Sequence, residues 1–197
     1  MYFLQICPTR EKKPIKIVIL GEGGVGKTTI SKSFANNSFF TKSKQTIAVE
    51  FHLKIIKDSK NGIKKIQIWD LGGQEHFKQM GLFRDFCRGA DAALLCFDLT
   101  DISTLFSLSE WLIFVENNIP RFLIGTKSDL ATLEDKNFDL STFAERFNCI
   151  KSFKCSAKNI ESIMKMFEEV ISIIRKSSPT EITTDQKSQI SKKLLVS

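Results

Sequence analysis

IKIVILGEGGVGKT, residues 15–28, decides how this 197-residue chain is to be read. Its first six residues, Ile15 to Leu20, form a short, mostly β-branched apolar run, the composition of a strand buried in a sheet. Gly21 then opens a glycine-rich loop, and residues 27–36 continue with a helical pattern. The loop fits G-x-x-x-x-G-K-S/T, with the strand before it and the helix after it that the motif requires. Gly21, Gly23, Gly24 and Gly26 let backbone N–H groups close around phosphate oxygens, and the helix start adds the positive end of its dipole. Lys27 is placed to reach β/γ-phosphates, and the Thr28 hydroxyl to ligate Mg²⁺. An ordinary glycine turn before a helix is the plainer reading, and it needs neither Lys27 nor Thr28. The motif alone leaves the base of the nucleotide open.

Working outward, apolar strand-like runs alternate with helical ones. Strands are expected at 46–56 and 62–70, paired through the turn segment DSKNG, then at 92–99, 121–125 and 150–155. Helices are expected at 75–87, 103–116, 139–147 and about 159–175. The last places Ile163, Met166, Phe167, Val170, Ile171 and Ile174 on one face. Strand–helix repeats with buried strands imply a parallel α/β sheet covered on both faces, which binds ligands at the carboxyl ends of its strands.

Composition agrees with one soluble domain: 42% hydrophobic and 26% charged residues, and no apolar run near the roughly 18 residues of a membrane span. Five cysteines without CxxC pairing are expected to be reduced thiols in an intracellular compartment, with Cys96 a small buried hydrophobe. The net charge of +7 sits mostly at the ends. Residues 1–16 carry Arg10, Lys12, Lys13 and Lys16 against Glu11, and 175–197 carry Arg175, Lys176, Lys187, Lys192 and Lys193 against Glu181 and Asp185. A nearly neutral body with basic tails favours solvated tails, or weak attraction to an anionic membrane, over a nucleic-acid-binding face, so no nucleic-acid partner is expected.

Two further signals fall at strand ends. IQIWDLGGQE, residues 66–75, ends a buried strand on Asp70, the position of a second Mg²⁺ holder, although a lone Asp there also serves as a helix cap. Gly73 follows where an N–H can meet a γ-phosphate, and Gln74 where a side chain can orient water. FLIGTKSDL then supplies Thr126, Lys127 and Asp129. A carboxylate accepts from guanine N1–H and N2–H₂ together, a donor pair that adenine lacks. KCSAKN supplies Ser156, Ala157 and Lys158, where a backbone N–H can meet guanine O6.

GEGGVGKT, TIAVEF, WDLGGQE, FCRGAD, TKSD and CSAK together resemble the Ras superfamily of small GTPases, most closely its Rab branch, over about residues 14–175. The resemblance implies a three-layer P-loop fold, a Ras-like G domain at 14–176 with a mostly parallel six-stranded sheet, flanked by flexible segments at 1–13 and 177–197. It implies a Mg²⁺-dependent GTP/GDP switch with slow intrinsic hydrolysis, acting as a cytoplasmic monomer through effectors, a GAP and an exchange factor. The implied nucleotide set is Gly21, Gly23, Gly24, Val25, Gly26, Lys27, Thr28, Thr29, Phe39, Thr46, Asp70, Gly73, Thr126, Lys127, Asp129, Leu130, Ser156, Ala157 and Lys158. Within it, Thr28, Thr46 and Asp70 hold Mg²⁺, and Lys27, Thr46 and Gln74 act in hydrolysis. Phe39 is expected to pack edge-on to the base, and Lys127 to lie along it and brace the P-loop. Phe51, Trp69 and Phe86 match an effector-facing aromatic trio, with plain core packing the alternative.

The departures are specific. Thr126 stands where the family usually has Asn, and Rho-type members share this Thr. Ala48 replaces a switch I glycine, which is expected to stiffen that loop, and Gly72 replaces a usual alanine, giving the GGQ of Arf and Gα proteins. No arginine lies between Lys27 and Thr46 to act as a finger in cis. A GTP-binding module with little hydrolysis is the other-class reading, and intact Gln74 argues against it. His52 and His76 are expected at the surface without a catalytic role. No cysteine follows Cys155 and residue 2 is Tyr, so attachment to a membrane is expected to be peripheral, weak and salt-sensitive, with Cys7 the remaining acylation candidate.

Overall fold

The period-two alternation of buried strands builds the centre of the molecule. A computed structural model describes residues 13–39, 46–58, 62–74 and 81–177. In strand β1 (Ile15–Leu20), Ile17 and Ile19 enter one apolar cluster while Val18 and Leu20 enter another on the opposite face. β4 (Ala92–Asp98) is buried at every residue and divides the same way, with Leu94 and Cys96 on one side and Leu95 and Phe97 on the other. Strands buried on both faces need helices on both faces.

The six-stranded sheet has the order β2-β3-β1-β4-β5-β6. β2 (Val49–Asp58) pairs antiparallel with β3 (Gly62–Leu71), and β3, β1, β4, β5 (Arg121–Thr126) and β6 (Lys151–Lys154) run parallel. One face carries α1 (Lys27–Asn36) and the long helix α7 (Ile160–Ser177), whose Phe34 and Phe167 rings stack with centroids 3.9 Å apart. All six apolar residues expected on the inner face of α7 are buried. The other face is covered by α2 (Phe83–Cys87), α3 (Ser103–Phe106), α4 (Leu108–Trp111) with a 3₁₀ turn at Leu112–Phe114, and α6 (Ser141–Arg146), while α5 (Leu133–Asn137) places no residue in that core. None of the helices among the described residues is long and apolar enough to cross a membrane.

Several expected elements change. The helix expected over 103–116 is broken into α3, α4 and the 3₁₀ turn. The Ser107 and Ser109 hydroxyls donate to the Ser103 and Phe106 carbonyls around the break, and the Ser107 N–H keeps its own bond to Ser103 at 3.2 Å. Of the helix expected over 75–87, α2 begins only at Phe83, and residues 75–80, including His76, lie outside the described residues. So do residues 1–12 and 178–197, which hold most of the expected flexible segments, and most of the DSKNG turn. α5 was not expected, yet the signal is present: Thr132 and Asp135 form a reciprocal capping box.

The strand expected from residue 46 begins at Val49, because Ala48 has φ 59° in the left-handed region. That kink lets the Ala48 carbonyl accept from the Gly72 N–H at 2.8 Å, joining switch I to the end of β3. An alanine in this conformation costs roughly 1–2 kcal/mol relative to glycine, partly offset by the greater entropy that glycine loses on folding. Ala48→Gly is therefore expected to stabilise the protein by about 0.5–1 kcal/mol in urea unfolding. A destabilised variant would mean that the alanine methyl contributes packing that outweighs its strain.

Candidate functional site

The parallel strands end together, and the residues singled out in the sequence collect at that edge. Gly21 follows β1 with φ 137°, and a Cβ there would lie 2.1 Å from the Cys96 carbonyl oxygen, so only glycine lets the loop leave the sheet at this point. Lys27 is buried, and its ammonium donates to the Gly21 and Glu22 carbonyls, both at 2.7 Å. The Glu22 carboxylate accepts from Trp111 Nε1 at 3.2 Å, which ties the loop to α4.

The brace between this loop and β5 differs from expectation. The Thr126 hydroxyl donates to the Val25 carbonyl at 2.5 Å, with the Phe97 carbonyl beside it at 2.9 Å. Lys127, expected to brace the P-loop, instead has its ammonium 2.5 Å from Asp98 Oδ2. The short Thr side chain reaches the loop because Thr126 is the last residue of β5 and lies directly under Gly26. Asp98 in turn accepts from the Thr100 N–H and hydroxyl at 2.9 and 2.7 Å.

Thr28, Thr46 and Asp70 meet. The two threonine hydroxyls are 2.6 Å apart, Thr28 donates to Asp70 Oδ2, and Thr46 Oγ1 lies 3.3 Å from the same oxygen. Two hydroxyls and a carboxylate are the hard oxygen donors that Mg²⁺ prefers, so the set fits that ion. Asp70 is wholly buried, and burial raises its pKa to about 6 against the hydrogen bond from Thr28 and the positive charge of Lys27.

The glycine pair after β3 makes this meeting possible. A Cβ on Gly72 would come within 2.7 Å of the Thr46 carbonyl oxygen, and one on Gly73 within 2.3 Å of the Glu22–Gly23 backbone. The chain therefore passes tightly between switch I and the P-loop before reaching Gln74.

The third group lines a cavity of about 150 Å³ bounded by Gly26, Thr29, Phe39, Thr126, Lys127, Asp129, Leu130, Ser156, Ala157 and Lys158. Asp129 Oδ1 accepts from the Ser156 hydroxyl at 2.6 Å, and its Oδ2 lies 2.8 Å from the Lys158 ammonium. Hydrogen bonding by Lys158, then Ser156, holds the Asp129 carboxyl below its ordinary pKa. It is thus an ionised acceptor at neutral pH.

Of the aromatic trio, Phe51 is exposed and meets Trp69 edge-on at 4.4 Å, while Phe86 is tilted 6.2 Å from Trp69. Trp69 and Phe86 also pack on the core, as the alternative reading of the trio expected. Sequence reasoning missed Asp98, Glu22 and Trp111. Asp98 ends the apolar run AALLCFD just as Asp70 ends IQIWD, and that likeness was the available signal.

The raised pKa of Asp70 has a definite sign. Below about pH 4 the carboxyl is protonated both folded and unfolded, and above about pH 6 the folded protein must bury a charge. The group's contribution therefore falls by about 3 kcal/mol as pH rises through that window. Asp70→Asn should flatten the pH dependence and stabilise the nucleotide-free protein at pH 7, as urea unfolding from pH 4 to 7 would measure. A wild type with unchanged stability across the window would contradict this.

Comparison with known proteins agrees with the geometry. The Ras family model matches residues 16–176. The Ras-related protein Rab-1C of Dictyostelium discoideum is 33% identical over 170 residues, covering 84% of this chain and 83% of its own length. RABA2a of Arabidopsis thaliana is 35% identical over 179 residues, covering 87% and 80%. The Ypt/Rab-type GTPase YPT7 of Saccharomyces cerevisiae is 30% identical over 172 residues, covering 82% of each chain. With the P-loop, the Thr28–Thr46–Asp70 cluster and the Asp129 cavity at the ends of one parallel sheet, the chain belongs to the Ras family of small GTPases and is of Rab type.

Proposed function

We propose that the chain is a switch that binds GTP and GDP and hydrolyses GTP slowly, its two states read by partner proteins. The observation that carries this reading is the contact of Thr46, from switch I, with Thr28 of the P-loop and Asp70 of β3. A residue that senses the γ-phosphate has to stand there. Thr28 and Thr46, with Asp70 behind them, are the residues to hold Mg²⁺, which when bound neutralises the β/γ oxygens.

Catalysis of this kind is positioning and charge stabilisation. Lys27 exchanges the Gly21 and Glu22 carbonyls for phosphate oxygens. The Gly73 N–H donates to the γ-phosphate, and Gln74 with the Thr46 carbonyl orients the attacking water. The guanine edge pairs with Asp129, held ready by Ser156 and Lys158. Loss of the γ-phosphate releases Thr46 and Gly73, and effectors read that change across switch I, switch II (the segment that begins with Gly72, Gly73 and Gln74), Phe51, Trp69 and Phe86. Turnover is slow because no arginine between Lys27 and Thr46 reaches the leaving charge, and a GAP supplies one.

Nucleotide titration tests the base choice: GDP and GTP should bind far more tightly than ATP. Asp129→Asn should weaken guanine binding by about tenfold or more, the worth of a charged hydrogen bond of roughly 1.5–3 kcal/mol. Equal affinity for ATP and GTP would remove the assignment.

Hydrolysis has its own test. Gln74→Leu keeps nucleotide binding but removes the amide that orients water, so single-turnover hydrolysis should fall, most of all with a GAP present. An unchanged rate under both conditions would favour a GTP-binding module whose output is shape alone.

A further inference from the structure

β2 alternates two kinds of side chain. Phe51, Leu53 and Ile55 are exposed on one face, and Glu50, His52 and Lys54 lie on the other, toward α1. Lys54 donates to the Phe34 carbonyl at 2.8 Å, and Glu50 pairs with Lys32 at 2.9 Å, so both ends of this row are anchored to α1. His52 stands between them with its side chain only 9% exposed. Glu50 is directly opposite Asp70 in the β2–β3 register and His52 is diagonal to it, which puts all three side chains on one face.

Their donor atoms lie within 4.8 Å of one another. Two of these atoms are buried: among the described residues neither Asp70 Oδ1 nor His52 Nε2 has a hydrogen-bond partner, and Glu50 Oε1 is 4.0 Å from that nitrogen. Buried polar atoms without partners are uncommon because each costs the loss of its water, and two at one place call for a common cause. We propose that Glu50, His52 and Asp70 form a second cation site, distinct from the Thr28–Thr46 oxygens, which takes a divalent first-row transition ion such as Zn²⁺.

The donor chemistry selects the ion. One imidazole and two carboxylates suit zinc and its neighbours, whereas Mg²⁺ prefers oxygen donors throughout. Zinc bonds of roughly 2.0–2.2 Å put tetrahedral donors about 3.4 Å apart, so the three groups need to close by little more than an ångström. Burial lowers the pKa of His52 and leaves a neutral ring with a lone pair to offer. Lys32 competes for Glu50, so binding loosens that ion pair. Protonation of His52 would satisfy Glu50 alone and leave Asp70 Oδ1 without a partner.

Asp70 belongs to both places, with Oδ2 toward Thr28 and Thr46 and Oδ1 left for this site. A cation on Oδ1 draws negative charge from the carboxylate and weakens its support of the Mg²⁺ set, so GDP release should quicken. That consequence rests on the nucleotide reading above, and the binding itself does not.

Zn²⁺ is titrated into the full chain, GDP-loaded with excess Mg²⁺ and also nucleotide-free, by equilibrium dialysis and by NMR of the two histidines, His52 and His76. One Zn²⁺ should bind and shift the His52 ring resonances but not those of His76. His52→Gln and Glu50→Gln should each weaken binding by at least about tenfold while GDP affinity stays as in the wild type. No uptake, or uptake unchanged in both variants as thiol binding would give, overturns the site. Zn²⁺ bound as described to a protein that fails to bind GDP would leave this proposal standing and sink only the nucleotide reading.

Discussion

A buried carboxylate organises the functional edge of this protein. Asp70 sits at the end of β3 with no exposed surface, hydrogen-bonded by Thr28 from the P-loop and beside Thr46 from switch I. Burial raises its pKa, so its charge at neutral pH is held at a cost to the fold. That cost falls where a cation would offset it, an arrangement common at binding sites and rare in cores. Three segments far apart in the chain converge on this one side chain, and a change at any of them is felt by the others.

The glycine pair at 72–73 makes the convergence possible. With any side chain at Gly73 the segment would strike the Glu22–Gly23 backbone, and at Gly72 it would strike Thr46. Ala48 accepts a left-handed conformation on the opposite side, so the bend lies partly in a residue that resists it. The expectation that Ala48 stiffens switch I thus gains a physical form: its backbone is confined to a strained region and tied to Gly72 by a 2.8 Å hydrogen bond.

The base cavity depends on a separate set of ties. Thr126 holds β5 to the P-loop, Lys127 is held by Asp98, and Asp129 is held by Ser156 and Lys158. The last two ties join neighbouring strand ends, and the Thr126 tie reaches past β4 to the loop after β1. The cavity is therefore shaped by the sheet and not by any one loop.

Much of this was legible in the sequence because it is local. Strand periodicity, the GEGGVGKT loop, the apolar face of α7 and the strand-end positions of Asp70 and Asp129 depend on neighbours only a few residues away, and they determined the fold class and the site's main residues. Where the local signal was incomplete, the reading failed: the helix expected over 103–116 is interrupted at Ser107 and tightens into a 3₁₀ turn at Leu112, and a left-handed Ala48 delayed β2. Tertiary structure alone decided which partners meet across long separations, such as Trp111 with Glu22 and Lys127 with Asp98, and that His52 and Asp70 come within 4.8 Å. No spacing in the chain encodes those contacts, because sheet order and register bring them together only after the strands have paired.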